Sequence, residues 1–120
     1  MIYVILHTTL LYLIQIMLPM IAKKRISEPA GERAEKAVHN LRESLPVFFV
    51  FAVLSVYLNI ESNTMVALIW LIFRVAFVAF YVSGINTKPA QESGYEPQPL
   101  RSLMWLCSVV CLVVMGVNLI

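Results

Sequence analysis

Residues 32–46, Glu-Arg-Ala-Glu-Lys-Ala-Val-His-Asn-Leu-Arg-Glu-Ser-Leu-Pro, are charged, yet they run without a break into the apolar segment Val47–Tyr57. Neither Gly nor Pro interrupts Glu32–Leu45. The stretch therefore reads as one helix that enters a membrane charged end first. At about 100° per residue, Arg33, Lys36, Asn40 and Glu43 share an arc of roughly 80°, with His39 at its edge. A polar stripe at the mouth of a lipid-compatible helix requires polar groups from elsewhere in the chain.

The remaining sequence is mostly hydrocarbon. Sixty per cent of residues are hydrophobic and the mean hydropathy is +0.81, far from the balance of a soluble domain. Ile2–Ala22 is long enough to cross the bilayer core. Its positive charges, Lys23-Lys24-Arg25, follow the apolar run and no small-x-small pattern comes after, which favours a membrane span over a cleaved signal. Pro19 should kink it. Ser27–Gly31, with Pro29, reads as a short connection, and the second helix is expected over about 32–59, bent where Pro46 leaves the Arg42 carbonyl without its helical partner. Ile60–Asn63 reads as a tight turn. Further helices are expected over about 64–86 and 100–119, separated by the polar loop Asn86–Pro99, which carries Gly94 and is long enough for a lid or a mobile segment. The expected fold is a single-domain, all-α membrane protein, a four-transmembrane-helix bundle over residues 1–120 with sequential helices antiparallel.

Six of the nine Lys and Arg residues lie between Lys23 and Arg42. The positive-inside rule then places both basic loops in the cytoplasm and both termini outside it. The basic residues flank apolar spans and no nucleic-acid reading motif is present, so nucleic acid is not an expected partner. Cys107 and Cys111, one helical turn apart in an apolar run, read as packing residues. Metal-ligand spacing, a Gly-rich phosphate loop and a Ser-His-Asp arrangement are all missing from the sequence. A small proton-coupled exporter would want a carboxylate deep in a span, and Glu43 alone qualifies.

Arg74 interrupts the third span, where an unpaired charge costs at least a few kcal/mol. Glu43 is about eleven residues into the second helix and Arg74 about eleven before the end of the third, so both lie roughly 17 Å from the cytoplasmic ends. Antiparallel packing would bring them level, either as a structural ion pair or as a pair that also shapes a charged ligand site. Tyr81 falls two turns after Arg74 on nearly the same face, with Phe77 between them. Arg101-Ser102 opens the fourth helix at the same membrane face. That arginine reads either as a headgroup contact or, with the helix-start N–H groups, as an anion site. Arg33, Lys36, His39, Asn40, Tyr81, Arg101 and Ser102 together suit one cytoplasm-facing cleft for a small polyanionic ligand, beside a lipid-exposed slot for a hydrophobic co-substrate.

The series Glu32-Arg33-Ala34-x-x-Ala37-x-x-Asn40-x-x-Glu43, with Pro46 soon after, resembles the signature of the membrane-associated proteins in eicosanoid and glutathione metabolism, the MAPEG family. Arg74-Val75-Ala76 followed by Tyr81 resembles that family's third helix, and the likeness covers essentially the whole chain. The resemblance implies a homotrimer of four-helix bundles in the lipid bilayer, with ligand sites between subunits. It also implies glutathione as co-substrate for a transferase or peroxidase acting on lipophilic small molecules within the membrane. The alternative on the same scaffold is a non-catalytic lipid or small-molecule binding protein. By position, Lys36, Asn40, Glu43 and Tyr81 match residues that contact glutathione in the family, and Arg74 matches its buried arginine. Arg101 and Ser102 resemble an Arg-Ser pair near the reacting thiol in the prostaglandin E synthase branch, which implies a catalytic role. His39 and Lys36 stand where that branch has arginines, and Phe77 where it has a histidine. Lysine lacks the planar fork of arginine, so the eicosanoid specialisation is not implied.

Overall fold

The computed structural model describes residues 1–89, 91 and 97–120. Four helices account for most of them: α1 (Ile2–Arg25), α2 (Glu28–Tyr57), α3 (Ser62–Ser83) and α4 (Pro99–Leu119). Each is long and apolar enough to cross a membrane. α1 packs chiefly on α2 and α4 on α3, and the α2–α3 contact joins the two pairs. Many large apolar side chains, such as Leu10, Ile14 and Met17 of α1 and Val110 and Val113 of α4, point outward. Helices that are apolar on their outer as well as their inner faces belong in hydrocarbon.

The connection between α1 and α2 is shorter than the sequence suggests. Ser27 caps α2, its hydroxyl accepting from the Ala30 N–H at 3.2 Å, and Pro29 sits in the first turn, where a missing N–H costs nothing. Gly31, expected in the connection, is a helical contact point instead. A Cβ there would lie 2.8 Å from the Lys23 Cβ and 3.1 Å from the Pro19 carbonyl oxygen. Glycine thus lets the two helices touch just before they part. Pro19 and Pro46 both lie inside their helices without ending them.

At the basic end of the bundle the core is built from small residues. Ala22, Ala30, Ala34 and Ala37 allow close approach to Phe77, Val78 and Val82 of α3. Toward the other end the core is larger, with Phe48 stacked on Trp70 at 4.0 Å among Leu41, Ala52, Ala67 and Met115. The expected turn at Ile60–Asn63 is displaced by about one residue: Asn59 takes the left-handed conformation (φ 56°) and α3 begins at Ser62. Asn63 is therefore no turn residue. It is fully buried and donates to the Ser55 hydroxyl at 2.8 Å and the Met115 carbonyl at 3.1 Å, while the Asn118 amide donates to its carbonyl oxygen at 2.8 Å. One side chain thereby ties α2, α3 and α4.

α3 ends at Ser83, earlier than residue 86, because Gly84 adopts the left-handed cap (φ 72°). The loop to α4 is closed at its base by the Lys88 N–H donating to the Pro97 carbonyl at 2.6 Å. Gln98 reaches back from the start of α4, its buried amide donating to the carbonyls of Phe80 and Ile85. The expected lid falls partly on residues 90 and 92–96, Gly94 among them, which lie outside the described residues.

Candidate functional site

α2, α3 and α4 enclose a cleft of about 590 Å³ near the basic end of the bundle. From α2 come Lys36, His39, Asn40 and Glu43; from α3, Phe77 and Tyr81; from α4, Arg101 and Ser102, with Trp105 and Leu106 one turn further on. The spacing on α2 is three, one and three residues, which keeps these side chains on one face. Eight of these lining residues were expected from the sequence. Trp105 and Leu106 were not, although each stands four residues beyond an expected one, the helical neighbour position.

Arg101 is 8 % exposed and lies over Tyr81, its guanidinium carbon 4.5 Å from the ring centroid. Tyr81 meets Phe77 edge-on at 5.6 Å, and the Arg74 guanidinium carbon lies 4.5 Å from the Phe77 centroid. A cation, two rings and a second cation thus run in series from the cleft down α3 into the bundle. Ring faces are negative and attract guanidinium groups, so this arrangement holds two positive charges in an apolar setting and fixes the direction of Arg101. The buried Oδ1 of Asn40 has no hydrogen-bond partner.

The expected Glu43–Arg74 ion pair is absent among the described residues. Glu43 is exposed, with its carboxylate 3.1 Å from His39 Nε2, whereas Arg74 is 1 % exposed and its Nε and Nη2 have no hydrogen-bond partner. Each has a different neighbour: Glu43 meets His39 and Arg74 meets the Phe77 ring. His39 lies one turn before Glu43 on the same helix, so their contact requires no tertiary adjustment. Arg74 sits beneath Phe77, outside the cleft lining.

Arg33 is the other expected residue that the cleft does not include. Its Nε and Nη2 donate to the Val82 carbonyl at 3.3 and 3.1 Å. It satisfies an orphan carbonyl at the end of α3, where positive charge also opposes the helix dipole. The same guanidinium packs against Gly84, where a Cβ would come within 3.2 Å of it. Arg33 does border a small cavity of about 60 Å³ behind the cleft, shared with Lys36, Tyr81, Gln98 and Arg101.

Four membrane-length helices with a charged, aromatic-backed cleft at one end define a polytopic, all-helical integral membrane protein. The chain belongs to the MAPEG family, whose family model matches residues 2–120. Neither the curated proteins nor the solved structures compared with it gave a match. Membership is consistent with the membrane proteins of glutathione-related and eicosanoid metabolism.

Proposed function

We propose that this protein is a glutathione-dependent membrane transferase or peroxidase acting on lipophilic electrophiles. The observation that carries this reading is the convergence of Lys36, Asn40, Glu43, Tyr81, Arg101 and Ser102 on one cleft. Glutathione has two carboxylates, one ammonium group, amide groups and a thiol. The cleft offers a matching set: the cations Lys36 and Arg101 for carboxylate or thiolate, the carboxylate of Glu43 for the ammonium group, and the Asn40 side chain for a peptide group. His39 and Tyr81 supply further polar edges.

Arg101 and Ser102 are assigned the thiol end. A guanidinium favours the thiolate over the thiol, and the thiolate is the nucleophile. Its charge is held in direction by the Tyr81 ring. Trp105 and Leu106 carry the cleft wall outward, where both are substantially exposed, and so offer a lipophilic electrophile a route from the hydrocarbon. The thiolate has an ultraviolet band that the thiol lacks. A thiolate band that grows on adding glutathione to the purified protein at neutral pH is the expected result, and no band together with no binding would overturn the proposal in favour of a lipid-binding protein on the same scaffold.

The homotrimer and the orientation are part of the same proposal. The exposed residues Glu32, Glu35, Lys36, His39, Arg42 and Glu43 form a mixed-sign stripe along α2. Such a stripe is unsuited to lipid and suits other copies of itself around a common axis. The basic end, with Lys23-Lys24-Arg25, is assigned to the cytoplasm. A cysteine probe at Ile120 should then be labelled from the non-cytoplasmic side and one at Ser27 should not. The reverse pattern would overturn the orientation.

A further inference from the structure

The start of α4 is not capped in the usual way. Its N-cap is Gln98, whose side chain makes no hydrogen bond to its own helix. Helix starts favour Ser, Thr, Asp or Asn, short side chains that accept from the free N–H groups of the first turn. Gln98 is longer, and its amide is used elsewhere. It donates to the carbonyl of Phe80 in the last turn of α3 and to that of Ile85, just beyond the Gly84 cap. The residue is 1 % exposed, so a polar side chain has been taken out of water to make these two bonds.

The Phe80 carbonyl does not need this donor. It also accepts from the Gly84 N–H at 3.2 Å. What the amide does is join two segments. Phe80 directly precedes Tyr81, and Gln98 precedes Arg101 by three residues. The Gln98 carbonyl accepts from the Ser102 N–H at 3.1 Å, the first helical bond of α4. One residue thus holds the Phe80–Tyr81 segment with its side chain and the Arg101–Ser102 turn with its backbone. Tyr81 is flanked in sequence by two held carbonyls, that of Phe80 by Gln98 and that of Val82 by Arg33 of α2.

The two segments joined in this way carry the pair whose guanidinium and ring meet at 4.5 Å. That attraction acts only within about 6 Å of the ring centroid, so it depends on how α4 is seated on α3. Gln98 borders the small cavity behind the cleft, together with Tyr81 and Arg101, and is not part of the cleft lining. Any influence it has on a ligand in the cleft therefore passes through those two side chains.

We infer that Gln98 is a positioning residue: its amide fixes the seat of α4 on α3 and so holds Arg101 over Tyr81, in the direction that favours a thiolate. The thiolate part rests on the glutathione reading above. The placing of Arg101 does not.

The test uses the full chain in bilayer discs, with two substitutions of opposite local effect. Gln98→Met keeps the length and removes the donor. Gln98→Ser supplies an ordinary helix cap and cannot reach α3. Two readouts are taken. The first is the rate at which phenylglyoxal modifies Arg101, followed by mass spectrometry. It should rise by about threefold in both variants, as local opening exposes the guanidinium more often. The second is the thiolate band of bound glutathione. In both variants the thiolate-to-thiol ratio at fixed pH should fall by about threefold, a rise of about half a pKa unit. Glutathione affinity should change less than the ratio does, since Gln98 does not line the cleft.

A residue that acts through Arg101 has no further effect once Arg101 is gone. Gln98→Met/Arg101→Leu should therefore show the same band as Arg101→Leu, whereas a merely structural residue would give additive losses. Parent-like phenylglyoxal rates in a folded Gln98→Met protein would overturn the inference. So would a Gln98→Ser protein that matches the parent in that rate, since the side chain would then serve only to start α4. If Gln98→Met does not fold, Gln98→Ser decides the matter. Failure of both to fold would also overturn it, making Gln98 a structural residue. A parent protein with no thiolate band would end the glutathione reading, and the phenylglyoxal rates would still decide the role of Gln98.

Discussion

Arg101→Leu should lower glutathione conjugation by about tenfold, the scale of a one-unit rise in the pKa of the attacking thiol. The effect should appear in the chemistry and not in binding. Arg101 is nearly buried and lies over Tyr81, so the direction of its charge is held. Its removal should raise the thiol pKa of bound glutathione by about one unit, equivalent to about 1.4 kcal/mol, so the thiolate band at neutral pH shrinks. Lys36 remains in the cleft to hold a carboxylate, so affinity should fall by less than about threefold. Arg101→Lys should be intermediate, because it keeps the charge and loses the planar face that stacks on Tyr81. If Arg101 only anchors the start of α4, Arg101→Leu should unfold at lower temperature with the thiolate band intact. An unchanged band in a folded Arg101→Leu protein would remove Arg101 from the thiol site and leave Tyr81 and Lys36 as the better candidates.

The parts of this site that could be read from the sequence are those set by one helix. Lys36, His39, Asn40 and Glu43 share a face because helical periodicity makes them do so, and the cleft includes all four. Arg33 belongs to the same arc but not to the same surroundings. It stands level with the end of α3, and a free carbonyl at Val82 takes its guanidinium. A count of residues from the helix ends suggested that Arg74 and Glu43 could pair. Such a count does not give direction, and the nearer partner His39 takes the Glu43 carboxylate.

Helix limits show the same division. Ser27 as a cap and Pro29 in the first turn are local signals for an early start of α2, and they outweigh the usual reading of Pro and Gly31 as loop. Nothing local distinguishes Asn63 from a turn residue, or Gln98 from a loop residue. Both are polar residues close to helix ends, where exposed polar residues are common. Their burial follows from carbonyls supplied by other helices, Met115 for the first and Phe80 for the second.

Asn63→Ala should cost about 2–4 kcal/mol of stability, measured by thermal unfolding in detergent: a few lost bonds and one orphaned group at about 1–3 kcal/mol, moderated by the smaller bonds usual in membranes. The reason lies in what each neighbour does afterwards. Ser55 keeps its own bond to the Phe51 carbonyl at 2.6 Å, and Asn118 is exposed enough to find another partner. The Met115 carbonyl loses the Nδ2 donor, and the space beside a fully buried side chain becomes a cavity. Asn118→Ala should accordingly cost less than about 1 kcal/mol, and the double variant less than the sum, because both act on one bond. Asn63→Asp separates hydrogen bonding from shape. It fills the same volume, but when ionised it presents only acceptors to the Ser55 hydroxyl and the Met115 carbonyl. At neutral pH it should therefore be less stable than Asn63→Ala, since a buried charge is added to the lost donor. An Asn63→Asp protein as stable as the parent at neutral pH would mean that donation from this amide is not what joins α2, α3 and α4.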